Sequence, residues 1–379
     1  MMNKVVLLVV LLATLILANQ TMASSEINFS GFGQIVGGTI SGDADTVYGY
    51  DSDISFTEES LFGLQVNARV NDRVSATAQL IGRGQDDFSP EFAWAYLTYQ
   101  FTDQWSLRAG RIRLPVFRYS DFLDVGYAFH WTRTPSSVYG VLDFSEIDGL
   151  NFGHTAFLGD WFSRAQFVYG RFKGDVTIAG ESSPTDLTNV FGGAWELNRD
   201  WFTARAAYFS AEVDIRPDGL QPLLMGLNAA GFGDVASQIA FEGDTGTFWG
   251  IALGGDWDDY FVSGEFVNRK VDDTLLNDSE AWYVSAGWRI NDWTLHTSFG
   301  SLDGKPQTAA LENLPADFPL FGPVQGLLLG QESRYDFYGV GARWDIRSNL
   351  AAKFDFERRD VKAGGEDANV FSAGLVFTF

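Results

Sequence analysis

The sequence contains no cysteine, which excludes disulfide bridges and thiolate metal sites. It contains no apolar run of 18 or more residues, the length at which a helix spans a bilayer. Positive charge is scarce: 26 Lys and Arg stand against 49 Asp and Glu, a net charge of −23. Binding to nucleic-acid phosphates needs the opposite balance, so no nucleic-acid partner is expected. There are only 10 prolines and 3 histidines. What is abundant is aromatic surface, 15% of residues, and glycine, 41 residues, at a mean hydropathy of −0.05. A chain of this kind is either a large soluble β-protein or a β-barrel that crosses a membrane with strands.

The first residues read as an address. Lys4 supplies a positive charge, Val5 to Ala18 is apolar, and Asn19 to Ala23 is a polar tail ending in small residues. This is the pattern of a secretory signal peptide over 1–23, with cleavage expected after Thr21-Met22-Ala23. Removing Lys4 and no acid would take the net charge from −23 to −24. Export without cysteine is consistent with a large closed barrel, which needs no covalent staple.

Periodicity then decides between the two classes. Leu64, Val66, Ala68 and Val70 occupy one parity and Gln65, Asn67 and Arg69 the other; Asn71-Asp72-Arg73 forms a turn, and Val74, Ala76, Ala78 and Leu80 resume the alternation. Strict alternation with a short polar turn predicts a hairpin with one oily and one wet face. The unit recurs around Thr102-Asp103-Gln104, Gly159-Asp160, Asn198-Arg199-Asp200, Asp258-Asp259, Asn291-Asp292 and Arg347-Ser348-Asn349. Seven hairpins, one strand before them (27–36) and one after (369–379), make sixteen. The short turns alternate with long segments at 38–60, 115–146, 173–188, 210–246 and 301–332. Trp105, Trp161, Trp195, Trp201, Trp257, Tyr260, Trp288, Trp293 and Trp344 crowd the turn-proximal strand ends, as an interfacial aromatic girdle does. The wet parity is too polar to be a packed core. The reading is an all-β, closed antiparallel 16-strand transmembrane β-barrel with long external loops and short periplasmic turns, in the outer membrane of a Gram-negative cell.

Two stretches sharpen this. Val370-Phe371-Ser372-Ala373-Gly374-Leu375-Val376-Phe377-Thr378-Phe379 alternates and ends in Phe. It resembles the C-terminal signal by which outer-membrane proteins engage the barrel-assembly machinery. Gly110-Arg111-Ile112-Arg113-Leu114-Pro115 is similar to the Gly–basic–x–basic–x–Pro stretch of phosphate-selective and related specific porins. The acidic Pro-Glu-Phe-Gly-Gly-Asp stretch of enterobacterial general porins is absent, and Tyr119 to Gly126 stands in its place. The chain therefore resembles a Gram-negative porin of the 16-strand superfamily, and a specific porin more than a close general one. The resemblance implies passive diffusion of small hydrophilic solutes or ions, a homotrimer, and contact with lipid and lipopolysaccharide. It implies no cofactor and no enzymatic activity.

Within residues 24–379, segment 115–146 is expected to fold inward as the constriction, with Arg108, Arg111, Arg113, Arg118, Asp121, Asp124 and Arg133 at the narrowing. Arg111 and Arg113 fall on the lipid parity, and a bulge at Gly110 is expected to turn both inward. Strand parity assigns Arg69, Arg83, Arg164, Arg205, Arg269, Arg289, Arg343 and Lys353 to the lumen wall, together with Arg108 and Arg359. Asp256, Glu265, Asp345, Asp355 and Glu357 share that face. Rings of Arg and Lys suit anions, so a weak anion preference is expected. Pairing among Lys353, Asp355, Glu357 and Arg359, and acidic mouth loops such as 43–59, work against it. The apolar segments 219–240 and 317–330 either pack at the mouth or contact a neighbouring subunit. Two alternatives stay open. One is a lipase-like barrel enzyme using His154 on the apolar parity; the other is a structural or adhesive barrel.

Overall fold

A computed structural model describes residues 26–379 apart from residue 179; the expected signal peptide, 1–23, lies outside the described residues. The chain forms sixteen strands. The first eight are β1 (Ile27–Gly42), β2 (Leu61–Arg69), β3 (Val74–Arg83), β4 (Glu91–Gln100), β5 (Trp105–Arg113), β6 (Glu146–Leu158), β7 (Trp161–Ile178) and β8 (Glu181–Arg199). The second eight are β9 (Phe202–Ile215), β10 (Glu242–Trp257), β11 (Tyr260–Val271), β12 (Asp278–Ile290), β13 (Trp293–Lys305), β14 (Ser333–Arg347), β15 (Leu350–Ala363) and β16 (Ala368–Thr378). Each pairs antiparallel with its sequence neighbours, and β1 pairs with β16 from Phe32↔Thr378 to Gly42↔Ala368. Closure leaves no edge strand, which matters because hydrocarbon offers no partner to an open N–H or C=O. Phe379 completes the seam by exchanging backbone hydrogen bonds with Gly31, both 2.9 Å.

The turns follow from local chemistry. Asp200, Asp258 and Asn291 take φ of +47°, +36° and +53°, a left-handed conformation that Asp and Asn tolerate better than most residues. Just above these turns the outward aromatics form a belt. Trp201 stacks on Trp257, with centroids 4.7 Å apart, and Trp293 on Trp344, 5.6 Å apart. Further up, Leu97, Phe167, Ile251, Leu253 and Val340 are exposed on the outer face. Exposed apolar area on this scale fits lipid and not water.

Two expectations change. Segment 173–188 is not a loop: β7 and β8 run through it as one tall hairpin, with Lys173, Asp175 and Thr177 outward. Alternation continues there, so the segment remains strand although its outward residues are polar. The inner face is also not uniformly wet. Val190, Phe209, Val213, Phe248, Val267 and Val271 share the lumen parity of Arg205 and Glu265 yet are buried in the largest apolar cluster. The inserted segment after β5 supplies the surface that covers much of this apolar half.

Segments 219–240 and 317–330 fold as short helices. These are α2 (Gln221–Ala229), α3 (Gly233–Ser237) and α4 (Phe321–Leu329), with α1 (Ser136–Tyr139) inside the barrel. Leu227, Val235, Val324 and Leu328 are buried, and Phe232 meets Phe318 at 4.7 Å. The apolar runs thus pack on one another and on the inner cluster at the external mouth.

Candidate functional site

The polypeptide between β5 and β6 enters the barrel. Its course is fixed by wall residues on almost every side. Arg205 on β9 donates to the carbonyl of Pro115, and the Arg118 amide donates to Glu265 on β11 at 2.9 Å. Glu265 also accepts from the Tyr139 hydroxyl at 2.8 Å. The Trp131 indole donates to Ser298 at 2.8 Å, and the Thr132 amide donates to Asp355 at 2.7 Å. On β14, Arg343 donates to the carbonyls of Tyr127 and Phe129, both at 2.6 Å. Lys353 on β15 donates to the carbonyls of Gly126, at 2.5 Å, and Trp131. At its lowest point the Tyr127 hydroxyl reaches the carbonyl of Ser348, in the turn between β14 and β15, at 2.8 Å. The segment therefore runs from the external rim to the turn end.

An acid centre anchors its descent. Asp124 is buried between Arg83, at 2.9 Å, and Arg113, which also lies 5.0 Å over the ring of Trp94. Burial alone would raise the Asp124 carboxyl, but Arg113 and Arg83 hold it below the ordinary range. Arg133 lies 3.7 Å over the ring of Tyr48 and donates to Glu59 at 2.8 Å, tying the first loop to this segment. Burial, reinforced by neighbouring cations and His296, keeps His130 well below the ordinary imidazole range, so it is neutral at pH 7.

The wall residues named from parity thus divide. Arg83, Arg164, Arg205, Arg343 and Lys353 are engaged with the inserted segment; Arg164 pairs with Asp121 at 2.6 Å. Arg289 pairs with Asp256 at 2.7 Å, and Arg269 bonds Asn277 and Ser279. Among the described residues, Arg69, Arg108 and Arg118 have no ion-pair partner within 4.0 Å. The alternative in which Lys353, Asp355, Glu357 and Arg359 simply pair with one another does not form among the described residues. Asp355 takes the Thr132 amide, Glu357 takes the Tyr48 hydroxyl at 2.6 Å, and Arg359 stacks on Tyr335 at 3.9 Å.

Arg111 and Arg113 also part company. Gly110 does take φ +135°, with a Cβ excluded by the carbonyl of Ala95 at 2.4 Å. Arg113, at the strand end, swings in to Asp124. Arg111 instead pairs with Asp148 at 3.1 Å, on the outward parity of Leu150 and Phe152. Two polar spaces border the segment: one of about 220 Å³ against β7–β9, lined by Arg118, Asp121, Arg164, Glu196, Asn198 and Arg205, and one of about 560 Å³ at Arg83, Glu91, Arg113, Asp124, Glu146 and Lys173. Parity had placed Glu265 on the inner face without showing it as an anchor. Tyr127, Trp131 and Tyr139 carried no signal beyond their aromatic character. His154 packs on Trp105, with centroids 4.0 Å apart, on the outward face.

No protein-family model and no curated protein matches the sequence. Solved structures do. A loop-L8 deletion mutant of OmpT, an outer membrane protein of Vibrio cholerae, has a TM-score of 0.59 at 13% identity, over 94% of this chain and 100% of that one. The anion-selective porin from Comamonas acidovorans has a TM-score of 0.57 at 14% identity, over 94% and 100%. The in-vitro folded, trimer form of Vibrio cholerae OmpT has a TM-score of 0.55 at 11% identity, over 94% and 100%. At such identities the likeness is one of fold. Together with the exposed apolar belt, it defines this chain as an outer-membrane β-barrel of porin-like, 16-strand architecture.

Proposed function

We propose that this barrel is a passive channel for small hydrophilic solutes or ions, with a weak anion preference. Segment 115–146 sets its bore, and the conducting route follows β2–β9, past Arg69, Arg108 and the polar cavity at Arg118, Arg164 and Arg205. The observation that carries the reading is this polar, net basic space left between an anchored internal segment and one side of the wall. Field and radius select weakly in such a passage, so a broad class of small anions passes. A homotrimer is proposed with it; the trimer form of the OmpT barrel supports that assembly by likeness of fold. Phe379 at the seam is proposed to be read by the barrel-assembly machinery, and the outward pair Arg111–Asp148 to face lipopolysaccharide or a neighbouring subunit.

The test is single-channel conductance of the purified, refolded chain in planar bilayers, with the reversal potential under a KCl gradient. Steps in multiples of three with an anion-selective reversal are expected. Cation selectivity would remove the basic route from the reading. A folded, inserted and silent barrel would remove the channel and favour a structural or enzymatic role.

A further inference from the structure

A further internal cavity, of about 280 Å³, lies at the external end between Leu142 and Phe144 of the inserted segment and the upper inner faces of β8–β11. Much of its wall is apolar: Val190, Phe209, Val213, Phe248 and Val271 are all buried. Charged and polar groups line it as well: the cations Arg269 and Lys270, the carboxylate of Asp143, and Thr185, Asn277 and Ser279. Arg269 lines this cavity between Phe248 and Ser279, its register partners on β10 and β12. Its Nη2 donates to the backbone oxygen of Asn277 at 2.8 Å, the Asn277 side-chain oxygen at 2.5 Å and Ser279 at 2.9 Å. All three acceptors are neutral. Its Nε is buried with no hydrogen-bond partner, and among the described residues no carboxylate comes within 4.0 Å. The acids that face it are Asp143 and Asp278, beyond ion-pair distance. Burial raises the Asp143 carboxyl above its ordinary range, while the Thr177 amide and Arg269 pull it back.

A guanidinium removed from bulk water without an anion is costly. A single carboxylate can pair with the guanidinium while an apolar body fills the rest of the space. The size is just below the roughly 300–1,000 Å³ of most ligand sites, and a largely apolar wall with a few placed polar groups is typical of them. We infer that this cavity is a binding site for a small apolar solute carrying one carboxylate, with Arg269 as its specificity determinant. The site goes beyond the channel reading, since binding at it does not require conduction.

The experiment is calorimetric titration of the full refolded barrel in lipid nanodiscs with 4-phenylbutyrate and, separately, its neutral amide. The carboxylate is expected to bind at least tenfold more tightly than the amide. Arg269→Gln removes that preference and leaves amide binding unchanged, whereas Val213→Trp fills the cavity and abolishes both. Folding of each variant is checked by its heat-sensitive shift on electrophoresis. Equal binding of acid and amide, an unchanged preference in Arg269→Gln, or no binding of either probe would each overturn the assignment. Conductance measured on the same preparations separates the two readings: a silent barrel that binds the acid keeps this site and removes the channel.

Discussion

The two halves of the lumen are built on the same strands and have opposite character. Along β9, Thr203 and Arg205 line the polar cavity, while Phe209, Val213 and Ile215 on the same parity are buried in the apolar cluster. Along β8, Asn198 and Glu196 give way to Val190 and Leu187. Alternation therefore assigns a residue to the inner face but does not say whether that face is wet. What decides is whether another part of the chain covers it. The inserted segment and the mouth helices cover the upper half, and there apolar inner residues gain the usual benefit of burial.

The sharpest way to break this contrast is to place one chemistry in both halves. Phe209→Asp removes a buried ring and leaves a carboxylate among apolar neighbours, so it should destabilise the barrel by more than about 4 kcal/mol in urea unfolding from lipid vesicles. The next largest effect is expected at the boundary between the halves. Asp124→Asn leaves Arg113 and Arg83 without their shared anion and should loosen the inserted segment by about 3 kcal/mol, read as faster protease cleavage within 115–146. Acid should do the same more gradually. A lowered carboxyl contributes stability that is present above the ordinary carboxyl range and is lost as pH falls through its lowered value. Conductance noise that rises only below that range would match; noise that rises near pH 6 would point to another group. Thr203→Asp, the polar-half counterpart of Phe209→Asp, should change stability by no more than about 0.5 kcal/mol. A cost similar to that of Phe209→Asp would erase the distinction. Arg164→Gln should leave unfolding almost unaltered and move the reversal potential toward cations.

Strand number, turn positions and seam were legible because they rest on local signals: period-two alternation, Asp and Asn at left-handed turn positions, and a terminal run ending in Phe379. The anchoring of the inserted segment was not. Lys353 meets Gly126 across 227 positions, and Thr132 meets Asp355 across 223. No periodicity within β15 distinguishes a lysine that lines water from one that holds two carbonyls. Arg111 and Arg113 show the same limit at short range. They share one parity in the chain, but only the residue at the strand end is free to turn in toward Asp124.

The tip of the inserted segment has a consequence for assembly order. Gly126 lies against Gln34 and Val376, so close that any Cβ would strike the Gln34 side chain at 2.0 Å. Those two residues face each other across the pairing of the first strand with the last. The segment leaves the wall at β5 and returns at β6, but its tip rests on the seam that closes the cylinder. The full set of contacts at Gly126 exists only once the chain ends have met. Seating of the tip is therefore coupled to the pairing of β1 with β16, a pairing of high sequence separation.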